Sequence, residues 1–238
     1  MSLRLEKIDP PSGQSFRLLR WRDNLREVEQ LDGSGQFLPV TGVGEEWHLH
    51  REVELTLVTK GQGTRFVGDH IEPFSAPDLV LLGSQLPHYW SGLRKSSGFA
   101  MQFHFPVEHP LWRLDEMEGL RKLWSRARRG LHFSVSQAER VRTLVERLPN
   151  LPSASRLGVL LQILGELNAV STPEVHSLSL NELAVEEGAR HEKSIQAVVC
   201  YLLSHYAEPV AFPEVLKISG MSKPTLARQF RQYTGRTV

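Results

Sequence analysis

The chain has 238 residues, 40% of them apolar and 23% charged, with a net charge of +1 and one cysteine, Cys200. That length suits two small domains of ~100–200 residues each, and a single cysteine excludes an internal disulfide framework. The near-neutral total excludes a chain-wide polycation, so any basic surface is local.

Residues 1 to 40 mix short apolar runs with turn formers, as in Phe16-Arg-Leu-Leu19 and Leu31-Asp-Gly-Ser-Gly35, which reads as strand rather than helix. No run reaches the ~20 apolar residues of a membrane span, and the first residues, MSLRLEKIDPP, lack the apolar core of a signal peptide. A cytoplasmic protein with no membrane partner is expected.

The segment from Gly42 to Gly61 carries the densest chemistry: His48, His50 and Glu54 at spacings of two and four. In a continuous strand these three share one face, with Leu49, Val53, Leu55 and Leu57 on the other. A turn at Arg51-Glu52 would break that parity. Strand signals recur at Glu54–Thr59, Thr64–Val67, Leu79–Leu82 and Phe99–Phe105, and His88 follows Pro87 between the last two. Two imidazoles, a carboxylate and a third imidazole make a candidate divalent-metal shell of His48, His50, Glu54 and His88. Alternation in the last strand puts Gln102 and His104 on one face, toward either a pocket or solvent. Trp47 and Phe66 are candidate stacking surfaces for a ligand, whereas Trp90 reads first as core.

The spacing Gly-x5-His-x-His-x3-Glu-x6-Gly resembles the first motif of the cupin family, over roughly residues 35 to 105. Pro87-His88 resembles the second motif only loosely, since Pro-x-Gly-x-x-His is not reproduced. The resemblance implies a jelly-roll β-barrel with its pocket in the lumen, used by some members for metal chemistry and by others for binding alone.

After Pro106 the apolar period lengthens. Leu114, Met117, Leu120, Leu123, Trp124 and Ala127 predict a helix ending at Arg126, Arg128, Arg129 and Gly130. Ser136 with Glu139 suggests a capping box for a second helix, and Leu157, Leu160, Leu161, Leu164 and Leu167 mark a third. Gly158 and Gly165 on that third helix would let a second backbone approach, so a homodimer is expected through this region. Ser171 to Arg190 reads as a linker, with a short helix in Leu180–Glu187 left open.

Ile195, Val198, Val199, Leu202, Leu203 and Tyr206 then mark an amphipathic helix. Pro213 opens a short one, Ser219-Gly220-Met221 turns, and Ser222 caps a last helix in which Leu226, Phe230 and Tyr233 share the buried side. Pro224, Ala227, Arg228 and Arg231 share the opposite side. Residues 191–238 hold three lysines and three arginines against three glutamates, a local net of +3. A helix-turn-helix on a basic segment predicts DNA contact. Arg228 is the candidate for base readout, Ala227 and Pro224 offer apolar contact, and Lys223, Arg231 and Ser222 are candidates for phosphate.

Gly220-Met221-Ser222, Leu226-Ala227-Arg228-Gln229-Phe230 and Tyr233-Thr234-Gly235 resemble the first helix-turn-helix of the AraC family of transcription regulators. Many members join a cupin-like effector domain through helices to this DNA-binding domain, so the resemblance spans nearly the whole chain. It implies an effector-binding barrel at 1–106, a helical dimerisation region at 107–170, a linker at 171–190 and a partial DNA-binding domain at 191–238. Two departures stand out: Leu216 replaces a usual alanine, and the family's second helix-turn-helix, about fifty residues, does not follow Val238. Either a truncated chain or a naturally short protein would account for that.

The expected fold class is therefore α+β, a jelly-roll barrel followed by helices and a helix-turn-helix. The leading functional reading is a non-enzymatic, ligand-responsive regulator, with a small-molecule effector held by His48, His50, Glu54, His88, Trp47, Phe66, Gln102 and His104. A metal-free pocket is preferred to a bound divalent metal. The alternatives are a cupin metalloenzyme of dioxygenase or isomerase type using the His48, His50, Glu54 and His88 quartet, and a sensor module with a vestigial helix-turn-helix. The basic C-terminus favours the first, since an enzyme has no need of it.

Overall fold

Two sheets occupy most of the first half of the chain in the computed structural model, which describes residues 4–42, 44–171, 174–180, 191–205, 208–234 and 237–238. The smaller sheet has five strands, in the order β1 (Arg4–Leu5), β5 (His48–Leu49), β10 (His88–Ser91), β7 (Gln62–Val67) and β8 (His70–Ser75). The larger has eight, in the order β13 (Val175–Ser177), β12 (Leu131–Phe133), β9 (Asp78–Leu82), β6 (Val53–Lys60), β11 (Ser97–Phe103), β2 (Phe16–Trp21), β3 (Glu27–Leu31) and β4 (Phe37–Thr41). All pairings are antiparallel except β1 with β5. With its helices the chain is an α+β protein.

Strand alternation explains why both faces of the larger sheet are buried. Val53, Leu55 and Leu57 of β6, Leu79 and Leu81 of β9, Met101 and Phe103 of β11, and Phe16 and Leu18 of β2 form one face. Helices α1 (Glu118–Ala127), α2 (Val135–Val145) and α3 (Ser153–Asn168) cover it, and the apolar stripe of α3 joins the same continuous core. Burial on both faces is why β9 reads as an unbroken apolar run. The intervening positions Arg17, Leu19, Trp21, Glu54, Thr56, Ala100 and Gln102 face the smaller sheet instead and line the space between the two.

Three details differ from the sequence reading. Strands β12 and β13, three residues each, extend the sheet beyond residue 106, into stretches read as a helix stop and a linker. A three-residue strand is too short to show a period, and its pairing is decided by the edge it meets. Helix α2 is capped by Ser134, which accepts from the Gln137 amide, while Ser136 bonds to the Ser134 hydroxyl. The chain leaves β12 at Phe133, so the cap falls two residues before the expected one. Finally, the turns at Pro110–Arg113 and Asp115–Met117 are tight 3-10 helices, because Leu114 between them is extended. Residues 181–190, with the short helix considered there, lie outside the described residues.

Arg156 locks the sheets to the helices. It is 2% exposed and donates to the carbonyls of Leu148, Leu151 and Asp32 and to the side chain of Gln14. Its guanidinium thereby satisfies a helix junction and the β3–β4 hairpin together.

Helices α4 (Glu192–Ser204), α5 (Phe212–Ser219) and α6 (Lys223–Thr234) have a core of their own, from Ile195, Val198, Val199, Val215, Leu226 and Phe230. Leu216, the position of the departure noted above, is partly buried against it. Gly220 ends α5 in the left-handed conformation, with φ 63° and ψ 21°, which lets the chain turn at once into α6. The side chains of Leu203, Tyr206 and Tyr233, and Gly235, lie outside the described part. No helix among the described residues is long and apolar enough to cross a membrane.

Candidate functional site

The chain does turn at Arg51-Glu52. His48 is in β5 of the smaller sheet, whereas Glu54 is in β6 of the larger, so the segment crosses between sheets. His50 sits in the crossover and reaches Glu54 through Nε2, 3.1 Å from Oε2. His88 arrives from β10, directly opposite His48, with ring centroids 4.2 Å apart. One ligating atom from each of His48, His50, Glu54 and His88 lies within 4.8 Å of the others, and all four residues are buried.

Each imidazole is held by its other nitrogen. The Nδ1–H of His48 donates to the Glu46 carbonyl at 2.8 Å, that of His50 to the Glu52 carbonyl at 3.0 Å, and that of His88 to the Leu86 carbonyl at 2.7 Å. In all three the acceptor is two residues away, so the local backbone fixes the tautomer and directs Nε2 toward the cluster. Glu54 is held in the same way: Gln102 donates to Oε2 at 2.7 Å, and the Thr56 hydroxyl donates to Oε1.

The charge states follow. Burial would raise the Glu54 pKa, but the His50 bond and the three surrounding imidazoles hold it well below the usual carboxylate range. Burial would lower that of His50, yet its bond to Glu54 and the neighbouring carboxylates raise it overall. His48 is lowered by burial and by His50, and His88 is lowered well below its ordinary value by burial and by His48. His88 Nε2 has no hydrogen-bond partner among the described residues although it is buried. A buried, neutral imidazole with its lone pair aimed at a carboxylate and two further imidazoles fits a first-row divalent metal, and carbonyl-anchored Nδ1 atoms are the usual outer support of such ligands.

Beside the quartet is a cavity of about 40 Å³. His48, Glu54, Thr56, Gln102, Arg17 and Glu6 form its polar side; Leu19, Trp21, Leu25, Val28, Leu93 and Ala100 form its apolar side. A polar chain runs through it: Arg17 donates to Glu6 at 3.1 Å, to Gln30 at 2.8 Å and to Gln102 at 3.3 Å, and Gln102 in turn donates to Glu54. Glu6 is brought there by β1, whose pairing with β5 continues in the bond from the Glu6 amide to the Leu49 carbonyl.

Of the pocket residues expected from sequence, His48, His50, Glu54, His88 and Gln102 come together. Trp47 and Phe66 do not join them. Phe66 pairs with Tyr89, one residue out of phase with His88, and Trp47 is one residue out of phase with His48, so these rings pack together on the opposite face of the smaller sheet. His104 lies past the end of β11 and does not line the cavity. Trp90, read first as core, does line it, two residues from His88 on the same face. Arg17 and Glu6 were missed: Arg17 interrupts the apolar run Phe16-Arg-Leu-Leu19, the one signal that could have flagged it.

A second polar cluster lies at the start of β9. Asp78, with a side chain 3% exposed, accepts from the Arg65 guanidinium and from His132 Nε2 at 3.1 Å. Burial raises the Asp78 pKa, but the His132 bond and the Arg65 charge lower it overall, below its ordinary 3.8. The unfolded chain therefore takes up this proton before the folded one does. Asp78 contributes stability that is present above about pH 4 and is lost as pH falls through its folded value. In urea unfolding between pH 5 and pH 3, Asp78→Asn is expected to flatten this part of the wild-type decline.

On α6, Ser222 precedes the first turn, and Lys223, Pro224, Ala227, Arg228 and Arg231 are all exposed, opposite the buried Leu226 and Phe230. The Ser222 hydroxyl bonds that of Thr225 at 2.9 Å, and the Ser222 carbonyl accepts from the Leu226 amide, which secures the start of the helix.

No protein-family model and no curated protein matches the chain. Among solved structures, it is similar to the AraC-like transcriptional activator CuxR at 12% identity and a TM-score of 0.39, over 93% of this chain and 78% of that one. It is similar to an apo variant of ToxT from Vibrio cholerae at 8% identity and a TM-score of 0.44, over 94% and 77%. A form of ToxT with bound unsaturated fatty acid aligns at 10% identity and a TM-score of 0.36, over 96% and 76%.

Proposed function

We propose that the chain is a ligand-responsive transcription regulator of the AraC type, which binds DNA through α6 and carries its sensing site between the two sheets. The observation that carries this reading is the α5–α6 unit: a short helix, a left-handed glycine and a second helix whose exposed face holds Lys223, Arg228 and Arg231. The motif residues that resemble the family's lie on this unit. Sensing needs a ligand with different affinities for two arrangements of the protein, and the buried cavity supplies a place for one. A homodimer paired along α3, where nothing among the described residues lies within 4 Å of a Cβ built at Gly158 or Gly165, completes the reading. It places the protein in the cytoplasm.

The quartet adds a second element, favoured by the three carbonyl-anchored imidazoles: a divalent metal held by His48, His50, Glu54 and His88. Such an ion would supply a positive charge and a Lewis-acidic coordination site at the edge of the cavity. Within this reading it belongs to sensing, and the protein carries out no chemistry.

Selection from random duplexes, followed by fluorescence anisotropy from 50 to 200 mM salt, tests the regulator. Wild-type protein is expected to recover a preferred sequence. Lys223→Ala and Arg231→Ala should each reduce the slope of log Kobs against log salt by about 0.9, one phosphate contact apiece. Arg228→Ala should relax selection at a single base pair, at about 1–3 kcal/mol. Failure to enrich any sequence, with slopes unchanged in the variants, would remove the DNA-binding reading.

A further inference from the structure

Two residues that line the cavity each carry a buried polar atom with no hydrogen-bond partner among the described residues. Trp90 is 2% exposed, lines the cavity, and its indole Nε1–H has no acceptor among the described residues. Glu6 gives one carboxylate oxygen, Oε1, to Arg17, but its buried Oε2 receives no hydrogen bond from the described residues. An indole nitrogen can only donate and a carboxylate oxygen can only accept. Leaving either unpaired away from water costs free energy, so both are expected to find partners in whatever fills the space.

The rest of the lining narrows the occupant. Arg17, the cation on the cavity wall, is already paired with Glu6 and bonded to Gln30 and Gln102. With the quartet free of metal, the Arg17 charge is balanced by Glu6, so a carboxylate ligand would meet Glu6 and Glu54 with no unbalanced arginine or lysine on the cavity wall. An ammonium ligand would satisfy Glu6 but give the Trp90 N–H nothing to donate to. The opposite wall, from Leu19, Trp21, Leu25, Val28, Leu93 and Ala100, favours a branched apolar body. The volume of about 40 Å³ has room for roughly three waters, or about five or six heavy atoms of a compact molecule.

We propose that this cavity binds a compact, uncharged molecule with a branched apolar body, which accepts a hydrogen bond from Trp90 and donates one to Glu6: a short alcohol or primary amide. Trp90 and Glu6 set its polarity, and Ala100 leaves the room for its body. The inference rests on the proposed sensing role of the cavity, but its test reads the cavity directly and does not depend on DNA.

The probes are isobutanol, isobutyramide, isobutyrate and isobutylamine, which share one branched body and differ in their head. Each is titrated into the full, chelator-stripped ¹⁵N-labelled chain while the indole N–H resonances of its five tryptophans are followed, that of Trp90 being identified by its absence in Trp90→Phe. The expected result is a saturable downfield shift of the Trp90 signal with isobutanol and isobutyramide, at least tenfold tighter than with either charged probe. Ala100→Leu, which fills the apolar side and leaves every polar group in place, should weaken that binding at least tenfold while the remaining resonances hold their positions. A Trp90 signal that no probe moves, a cavity holding only water, would overturn the proposal. So would isobutyrate or isobutylamine binding as tightly as the neutral pair, or Ala100→Leu binding them unchanged. Sequence-selective DNA binding alongside any of these outcomes would leave the regulator standing and remove the ligand class alone.

Discussion

Protein stripped with chelator and titrated with zinc is expected to take up one equivalent, and His48→Ala/His50→Ala to take up none. The expectation rests on geometry. Four ligating atoms lie within 4.8 Å of one another, and each imidazole is already oriented through Nδ1. A metal that binds only the folded chain stabilises it by about 2.7 kcal/mol at one hundred times its Kd, so the melting temperature should rise with zinc in the wild type alone. Gln102 makes the sharper test, because it touches Glu54 and is not a ligand. Gln102→Ala should retain stoichiometric binding with affinity reduced 10–100-fold, as for other residues that orient a ligand. Zinc uptake that survives in the double variant would place the ion elsewhere. No uptake by the wild type would leave an organic pocket lined by histidines.

Leu226→Ala should have the opposite pattern. Leu226 is 0% exposed in the small core shared by α4, α5 and α6, where few other side chains can close the gap. Truncating a buried leucine costs about 2–5 kcal/mol, a large fraction of what so small a cluster can supply. DNA binding is expected to disappear, and zinc binding with its stabilisation to remain, because the quartet belongs to a different core. Amide exchange would locate the damage: protection lost across 192–234 and kept in β6 and β11. A uniform loss of protection across both parts would mean that the two cores fold as one.

These outcomes bear on what a reader of the sequence alone can recover. Three of the quartet, His48, His50 and Glu54, were legible because they lie within seven residues and their types are rare together among apolar neighbours, and His88 was added from a later strand. Its assembly was not, since Arg51 and Glu52 carry the chain from one sheet to the other and nothing in their identity announces it. Period-two alternation correctly set Val53, Leu55 and Leu57 against Glu54, and Met101 and Phe103 against Gln102. The same rule, applied to Trp47 and Phe66, excludes them from the pocket once the register with His48 and Tyr89 is known; register is a tertiary property. The helices of the second half were plain from their apolar periods, but β12 and β13 were invisible, because three residues cannot declare a strand. Glu6 and Trp90 became part of the site only through pairing, Glu6 through β1 and Trp90 through β10.

Arg156 also constrains how the protein comes off the ribosome. Its bonds to Asp32 and Gln14 span 124 and 142 residues of chain. At roughly 5–20 residues per second, the β3–β4 hairpin waits about 6–25 s for the arginine that completes it. Until α1 is made, the outer face of the larger sheet has no helix to cover it, and Phe16, Leu18, Leu55 and Met101 stay open to other nascent chains. The sandwich and its first three helices are therefore one unit of synthesis, and a chaperone that holds apolar strands is most needed before α3 emerges.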